Sequence, residues 1–312
     1  MEKVNFFLIG AAKCGTTALY ERMKHHPEIY LSPLKEPNYW STDIDIAQFS
    51  AAFKANTPLD LSAYLLQEPL PEKPVGFLRN EGHYARLFDA VQNEKMVGEC
   101  STSYLYSEVA AERIAKAHPD AKILVVLRDP VERLFSHYLM ARKYGFVTED
   151  LKVAVDRDFS RENKGWGRSE LFVELGLYGK QLERWYEHFG RSQIKVLFTP
   201  QLNEEDTYSE LYEWLGVGEN RAAGTKIKNE EKTNSAGLAR FEGLNKWLTD
   251  SGLKKALGAI VPLNFKRKLL NLYYTDVNLP TLSEADRKYL SGFYAKDKER
   301  LEAVLQRPVP WN

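Results

Sequence analysis

Short apolar runs alternate with helical patterns along the chain up to about residue 215. The apolar runs lie at residues 4–9, 96–99, 122–127 and 194–198, and more weakly at 29–31. Runs of this kind are typical of strands that are buried on both faces. Apolar positions recur at helical spacing between them, at residues 16–25, 107–118, 130–143, 178–189 and 205–215. This alternation predicts an α/β fold in which helices flank an open parallel sheet.

Two longer segments interrupt this alternation, and it stops after about residue 216. Residues 41–80 are rich in proline, leucine and aromatic residues, and we expect an irregular excursion there. The glycines of residues 144–170 favour a mobile loop at the mouth of a site. We interpret residues 1–312 as one domain, with a core at 1–215 and a helical C-terminal region at 216–312.

The first strand runs into a turn that is suited to an anion. Gly10 and Gly15 bracket this turn, and glycine lets backbone N–H groups approach a ligand closely. Thr16 and Thr17 then begin a helix, whose N-terminus offers unpaired N–H groups and a positive dipole end. Lys13 adds a full positive charge. The alternative is an ordinary strand, turn and helix that binds no anion and has an exposed lysine, since it would show the same sequence pattern.

This loop is similar to the P-loop of nucleoside-triphosphate enzymes but does not match it. A P-loop has lysine directly before the serine or threonine that begins the helix. Here Cys14 and Gly15 separate Lys13 from Thr16, and no magnesium-binding aspartate is evident for this loop. The fold prediction is therefore P-loop-like, and a nucleotide kinase-like phosphotransferase stays open as a remoter alternative.

A second strand, turn and helix carries similar chemistry. Arg128 follows the strand at residues 122–127, and its planar guanidinium suits bidentate contact with a phosphate. Asp129 and Pro130 are typical of a helix start, and Ser136 follows within that helix. A crossover helix with ordinary surface charges is the alternative. Together, the two loops indicate a ligand with two separate anionic ends.

At these residues the chain resembles the sulfotransferases that use 3′-phosphoadenosine 5′-phosphosulfate (PAPS) and release 3′-phosphoadenosine 5′-phosphate (PAP). The residues that the resemblance implies in binding the 5′-phosphosulfate are Lys13, Cys14, Gly15, Thr16 and Thr17. Cys14 is unusual there, since relatives more often have another small residue. Arg128 and Ser136 are implied in binding the 3′-phosphate, and Tyr178 is a further nucleotide-binding candidate.

Within that family, three segments look like those of bacterial and heparan-type carbohydrate sulfotransferases. They lie at residues 35–40, 98–105 and 177–182. In those relatives the glutamate of the first segment is the general base. The resemblance therefore implies that Glu36 is catalytic together with Lys13, and that no metal takes part. The cytosolic small-molecule enzymes use a histidine instead, so His83 is the alternative base to test.

The reaction that the resemblance implies is in-line transfer of a sulfuryl group from PAPS to an acceptor hydroxyl or amine. The acceptor implied first is a carbohydrate; a lipid, a sterol or a carrier-bound acyl chain is the alternative. A non-enzymatic nucleotide-binding module is a third hypothesis. Such a module would keep both anion loops and lose nothing when Glu36 is replaced.

Composition narrows the classes of partner. The chain has 43 basic and 43 acidic residues, which argues against a general nucleic-acid binder. Its two cysteines show no metal-site or disulfide spacing and suit a reducing compartment. No apolar run approaches the ~20 residues of a membrane span, and the first strand begins too early for a signal peptide. We therefore expect a cytoplasmic location.

Two polar segments near the C-terminus have open interpretations. The resemblance implies that residues 226–236 cover the nucleotide, although a solvated linker would have the same composition. Residues 251–275 combine leucines with five basic residues and no acidic residue. They predict either a helical pack with solvated charges or a contact for an acidic acceptor, a carrier protein or lipid headgroups at a membrane surface.

Overall fold

The computed structural model describes residues 4–57, 59–219 and 280–311, together with residues 238, 239, 246, 249, 251, 274 and 275. The strands are β1 (Phe6–Gly10), β2 (Ile29–Leu31), β3 (Leu34–Glu36), β4 (Lys73–Val75), β5 (Met96–Cys100), β6 (Lys122–Leu127), β7 (Ile194–Phe198), β8 (Leu238–Ala239) and β9 (Tyr274–Thr275). The helices are α1 (Thr16–Met23), α2 (Ala51–Asn56), α3 (Leu61–Leu65), α4 (Glu81–Arg86), α5 (Ser103–Tyr106), α6 (Ala110–Ala117), α7 (Pro130–Tyr144), α8 (Leu151–Phe159), α9 (Tyr178–His188), α10 (Glu205–Leu215), α11 (Glu284–Ser291) and α12 (Ala295–Leu305).

Five parallel strands form the central sheet, in the order β2-β5-β1-β6-β7. All residues of β1 and β5 are buried, and so are those of β6 after Lys122. Mostly apolar sequences suit these strands because helices and loops cover both faces of the sheet. The predicted α/β class with a P-loop-like parallel sheet is confirmed. A separate parallel pair, β3 and β4, places Glu36 opposite Val75.

The strand order brings the carboxyl ends of β1 and β6 side by side. The chain leaves β1 toward β2 and β5, whereas β6 and β7 lie on the other side of β1. In open parallel sheets, ligands bind outside the carboxyl ends of the strands at such a reversal. The Ala11 N–H donates to the Val126 carbonyl at 2.8 Å and so joins the turn after β1 to the end of β6.

Two groups of buried apolar side chains hold the helices in place. The larger group surrounds the sheet and includes Leu182 of α9 and Leu301 of α12. The smaller group joins α7, α8 and α11 through side chains such as Leu134, Val155 and Leu290. The helices α11 and α12 therefore pack on the part of the chain that carries the sheet.

The prediction of a loop across residues 144–170 was wrong for its centre, where α8 forms. Leu151, Ala154 and Val155 have the spacing of one helix face, and the last two side chains are fully buried. The glycines that favoured a loop lie outside this helix. Residues 165–169 do form a turn, in which Gly167 has a left-handed φ of 74°.

Residues 41–80 are more regular than predicted. The helices α2 and α3 and a 3-10 turn at Ile46–Gln48 form within them. Each begins with a side-chain cap, in which Asp45, Ser50 or Asp60 accepts a backbone N–H from the first turn. Such caps stabilise short helices that the apolar pattern alone does not reveal.

The C-terminal region is described only in part. Its described elements are α11, α12 and the short antiparallel pair of β8 and β9. The sequence did not predict this pair of strands. The predicted nucleotide-covering segment at residues 226–236 lies outside the described residues. Of the basic segment at residues 251–275, only residues 251, 274 and 275 are described.

Asp297 joins α12 to the start of α9, and its replacement should weaken the whole core. Its carboxylate accepts the Gly179 N–H at 2.8 Å and the Lys180 N–H at 3.0 Å. Asp297→Ala should lower the free energy of unfolding by about 1–2 kcal/mol, since two helix N–H groups lose their acceptor. Urea denaturation followed by circular dichroism measures this loss.

Asp60→Ala is the matched control. Asp60 caps α3 through one exposed bond to the Ala63 N–H at 3.0 Å. We expect it to cost about 0.5–1 kcal/mol, near the lower limit for an N-cap. A loss for Asp297→Ala no larger than that for Asp60→Ala would contradict the role of Asp297 in docking α12.

Candidate active site

A cleft of about 790 Å³ opens beside the carboxyl ends of β1 and β6. It brings together most of the residues that the sequence singled out. Those that line it are Lys13, Gly15, Thr16, Thr17, Glu36, Arg128 and Ser136. Residues more than a hundred positions apart thus share one cavity, because the sheet places the turn after β1 next to the end of β6.

The turn after β1 leaves the start of α1 without a side-chain cap. Gly15 is the N-cap residue, in a left-handed conformation with φ of 95°. A side chain at this position would be strained, and its Cβ would lie 2.8 Å from Leu202 Cδ1. By contrast, Asp129 caps α7 and Asp297 contacts the first turn of α9. Of these three helices, α1 is the one whose N-terminus is suited to an external anion.

Positive charges surround this helix start. Burial lowers the pKa of Lys13, and the charges of Arg128, Arg133 and Lys143 lower it further. The Lys13 ammonium lies 3.6 Å from Met140 Sδ, which is only a weak acceptor. Like charges held together in this way favour a ligand that brings negative charge.

Arg128 shares an acidic neighbour with a helix of the C-terminal region. Its guanidinium lies 3.4 Å from Glu132 Oε2. Arg287 of α11 also pairs with Glu132 and lies 3.7 Å from Asp129 Oδ2. Because Glu132 already pairs with Arg287, it offsets the charge of Arg128 only in part. The Arg128 side chain is 33% exposed at the cleft, so a phosphate group can reach it.

Glu36 ends β3 and lines the same cleft. Its side chain is 14% exposed and accepts hydrogen bonds from Lys35 Nζ at 2.9 Å and Thr102 Oγ1 at 3.0 Å. Burial lowers the pKa of Lys35, but the charge and hydrogen bond of Glu36, together with the nearby Cys100 and Glu21, raise it, and the net direction is upward. Lys35 therefore stays charged beside Glu36, and the two contacts orient the carboxylate.

Two predicted nucleotide-binding residues, Cys14 and Tyr178, do not line the cleft. Both side chains are buried behind the turn, where Cys14 Sγ lies 3.5 Å from Tyr178 Oη. Burial raises the pKa of both groups, so they are neutral hydrogen-bonding partners. The side chain of Tyr178 packs against the turn from the core, and of Cys14 only the backbone is part of the surface that the turn presents to the cleft.

Several cleft residues were not singled out as site residues from the sequence. Thr199 Oγ1, after β7, lies 2.8 Å from the Cys14 carbonyl and 3.1 Å from the Leu127 carbonyl, so it can share its one proton between them and ties the two loops together. Thr102 lies within the segment 98–105 that resembled the family, but its contact with Glu36 was not foreseen. Lys143 lies on α7 two turns after Ser136, and this helical spacing could have indicated it.

A histidine and a glutamate form another part of the cleft wall. His137 Nε2 lies 3.8 Å from Glu170 Oε2. Burial, and then the charges of Arg133 and Lys13, lower the pKa of His137 well below its usual value. Burial and the nearby Asp158 raise the pKa of Glu170 to about 7. His83, the alternative base, is exposed on α4 and does not line the cleft.

Comparison with known proteins identifies the family. The model of the sulfotransferase family matches residues 5–194, which is more than half of the chain and includes the loops after β1 and β6. The chain belongs to the sulfotransferase family. The family expected from the sequence is therefore confirmed.

Carbohydrate-modifying proteins are among the relatives of this sulfotransferase. It is 26% identical over 260 residues to carbohydrate sulfotransferase 15 of Rattus norvegicus, covering 69% of this chain and 44% of the rat protein. It is 24% identical over 319 residues to bifunctional heparan sulfate N-deacetylase/N-sulfotransferase 4 of Mus musculus, covering 98% of this chain and 30% of the mouse protein. The chain thus spans less than half the length of these two relatives.

A solved structure is similar over nearly the whole chain. The sulfotransferase from Alicyclobacillus acidocaldarius is 26% identical and has a TM-score of 0.63, covering 98% of this chain and 97% of that one. In the described part of this chain, no group of three or more His, Cys, Asp and Glu side chains is arranged to hold a metal ion. None of the described helices is both long enough and apolar enough to cross a membrane.

Lys13→Met tests whether the start of α1 is an anion site. Without ligand, the variant should unfold about 1–3 °C above the parent protein, since it removes a partly buried charge that repels its neighbours. Inorganic pyrophosphate should raise the melting temperature of the parent protein but not that of Lys13→Met. Thermal unfolding with and without pyrophosphate measures both effects.

Lys24→Met is the control for loss of a lysine. Lys24 pairs with Glu21 at 2.7 Å and Glu72 at 2.9 Å, so its replacement should lower stability slightly and leave the pyrophosphate effect intact. If Lys13→Met loses stability as Lys24→Met does, the charges around Lys13 do not repel each other enough to destabilise the protein. The interpretation of this cluster as an anion site would then be wrong.

Proposed function

We propose that this sulfotransferase transfers the sulfuryl group of PAPS to an acceptor hydroxyl or amine. One observation carries the proposal: a single cleft contains the uncapped start of α1, a separate arginine and serine, and the Glu36 carboxylate. PAPS has an anionic group at each end, so the two cationic regions of the cleft suit it. The carboxylate supplies a base, which a simple binding module would not need.

The donor would be held at both ends by residues of the two loops. Lys13 and the N–H groups that begin α1 would bind the 5′-phosphosulfate. Arg128 and Ser136 would bind the 3′-phosphate, as a charge-assisted hydrogen-bonding pair does. Thr199 would keep the two regions in register, because it bonds to both loops.

Glu36 would accept the proton of the acceptor as the new O–S or N–S bond forms. The bond between the sulfur and the phosphate oxygen breaks in the same in-line displacement, and the electron pair stays on that oxygen. Lys13 would stabilise the charge that develops there, which is the main contribution expected for such group transfers. Lys35 and Thr102 would hold Glu36 in the orientation that this step needs.

A carbohydrate is the acceptor that we propose. The relatives that modify carbohydrates support it, and so does the composition of the cleft wall. Aromatic side chains of Phe53, Phe77 and Trp166 line the cleft beside the polar groups of Lys73 and Ser50. Sugar rings commonly bind by stacking on aromatic faces while polar groups bond to their hydroxyls. Lipid, sterol and carrier-bound acyl hydroxyls belong in the same acceptor screen, which uses radiolabelled sulfate from PAPS.

Arg128→Ala tests the assignment of the 3′-phosphate site. The variant should weaken PAP binding by about 1.5–3 kcal/mol, the contribution of a charge-assisted contact. It should barely change the affinity for the analogue that lacks the 3′-phosphate. Isothermal titration calorimetry with both nucleotides measures the difference. Equal losses for the two nucleotides would refute the assignment.

Glu36→Gln tests the assignment of the base. The substitution keeps the shape of the side chain and removes its basicity, so turnover should fall by about 10²–10⁴, the usual contribution of general-base catalysis. PAP affinity should stay close to that of the parent protein, whereas thermal stability should fall, because the mostly buried Lys35 loses the carboxylate with which it pairs. Initial rates of labelled sulfate transfer at saturating donor measure the effect.

His83→Ala is the control for Glu36→Gln. His83 is exposed outside the cleft lining, so its replacement should leave turnover nearly unchanged. If His83→Ala abolished transfer while Glu36→Gln retained it, the base would be histidine. The assignment of Glu36 by its likeness to the carbohydrate-type enzymes would then be wrong.

A further inference from the structure

A second glutamate, Glu99, lies buried behind the cleft and accepts hydrogen bonds from three hydroxyl groups. Tyr84 Oη and Tyr104 Oη donate to Glu99 Oε1 at 2.9 and 2.7 Å. Ser101 Oγ donates to Glu99 Oε2 at 2.7 Å. The side chain is 0% exposed, and in the described part of the chain no lysine or arginine pairs with it. Glu99 is therefore a buried acceptor that is satisfied by neutral donors alone.

Each of the three hydroxyl groups also accepts an N–H group from residues 38–40. The Asn38 N–H donates to Ser101 Oγ at 3.0 Å, and the Tyr39 N–H donates to Tyr104 Oη at 3.1 Å. The indole N–H of Trp40 donates to Tyr84 Oη at 3.1 Å. Three parallel relays thus run from residues 38–40 through a hydroxyl to one carboxylate.

The direction of these relays depends on the carboxylate. A hydroxyl group has one proton, and each of these groups turns its proton toward Glu99. Its lone pairs are then free to accept an N–H group from residues 38–40. An ionised carboxylate only accepts, so it orients all three hydroxyl groups in the same way.

The segment that the relays hold comes directly after the proposed base. Glu36 is followed by Pro37 and then by Asn38, which has a left-handed φ of 50°. The Asn38 side chain also donates to the Glu36 carbonyl at 2.9 Å and to the Gly76 carbonyl at 2.8 Å. A non-glycine residue in this conformation costs free energy and persists only where surrounding contacts enforce it. The relays to Glu99 provide such contacts two residues from the base.

Burying the Glu99 carboxylate costs free energy. Burial raises the pKa of Glu99 to about 7, although the three hydrogen bonds oppose that shift. The nearby Glu36 adds to the rise. A neutral or apolar side chain usually fills a buried position at a lower cost in free energy than a carboxylate does. The presence of a carboxylate here therefore indicates a function beyond packing.

We propose that Glu99 is a positioning residue that holds residues 38–40 through its three hydroxyl partners and thereby fixes the Glu36 carboxylate at the acceptor. This inference rests on the proposed function, in which Glu36 is the base. It adds a residue that does not touch the substrate, on a different strand from Glu36.

Glu99→Gln, Ser101→Ala and Tyr104→Phe each disturb the relays without removing Glu36. Each should lower kcat by about 10-fold, as expected when a reacting group is displaced by a fraction of an ångström. The KM for PAPS and the affinity for PAP should stay within about twofold, because the nucleotide contacts lie on other loops. Tyr30→Phe is the matched control, since it removes one tyrosine bond, to the Leu87 carbonyl at 2.8 Å, away from the cleft. It should leave kcat unchanged.

A double-mutant cycle shows whether Glu99 acts through Glu36. If it does, Glu99→Gln should cause no further loss of turnover in the Glu36→Gln background. Losses that multiply in the double variant, or a normal kcat in Glu99→Gln, Ser101→Ala and Tyr104→Phe, would overturn the proposal. If Glu99→Gln does not fold, the same cycle is run with Tyr104→Phe.

The same experiment separates this proposal from the function on which it rests. Normal turnover in Glu36→Gln would overturn the assignment of the base, and with it the role given to Glu99. A large loss in Glu36→Gln together with normal kcat in the relay variants would overturn the role of Glu99 alone.

Discussion

The concentration of positive charge around the start of α1 is the constraint on which the rest of the site depends. Lys13 is partly buried near Arg128, Arg133 and Lys143, and its lowered pKa records both the burial and the repulsion. Arg133 is fully buried beneath the cleft, where it donates to the Phe172 carbonyl. A fold keeps such a cluster only if its core is stable enough to hold like charges together. The proposed donor, with an anionic group at each end, would offset this repulsion.

The architecture supplies that stability from elements far apart in sequence. Adjacent strands β1 and β6 bring the two loops together, and Thr199 after β7 bonds to both of them. Glu36 comes from a different, smaller sheet. Its placement depends on the contacts of Lys35 and Thr102, and on the network that ends at Glu99. The cation-rich region and the carboxylate are thus held by separate parts of the core.

The sequence predicted what depends on local pattern and missed what depends on distant contacts. The glycine turn before Thr16 and the Asp-Pro helix start after Arg128 are local signals, and the structure contains both. By contrast, the burial of Tyr178 against Cys14 follows from the packing of α9 beneath the turn, which no local pattern reveals. The helix α8 was missed because flanking glycines obscured a short apolar face. The relays to Glu99 join residues more than fifty positions apart, so sequence spacing could not indicate them.

The most direct test of the account is a crystal structure of the protein with PAP bound. The account predicts that the 5′-phosphate contacts Lys13 and the N–H groups of Thr16 and Thr17, and that the 3′-phosphate contacts Arg128 and Ser136. The Glu36 carboxylate should then face the 5′ end, where the sulfuryl group of the donor would lie. PAP bound in the reverse direction, or outside this cleft, would contradict the central claim that the two loops form one donor site.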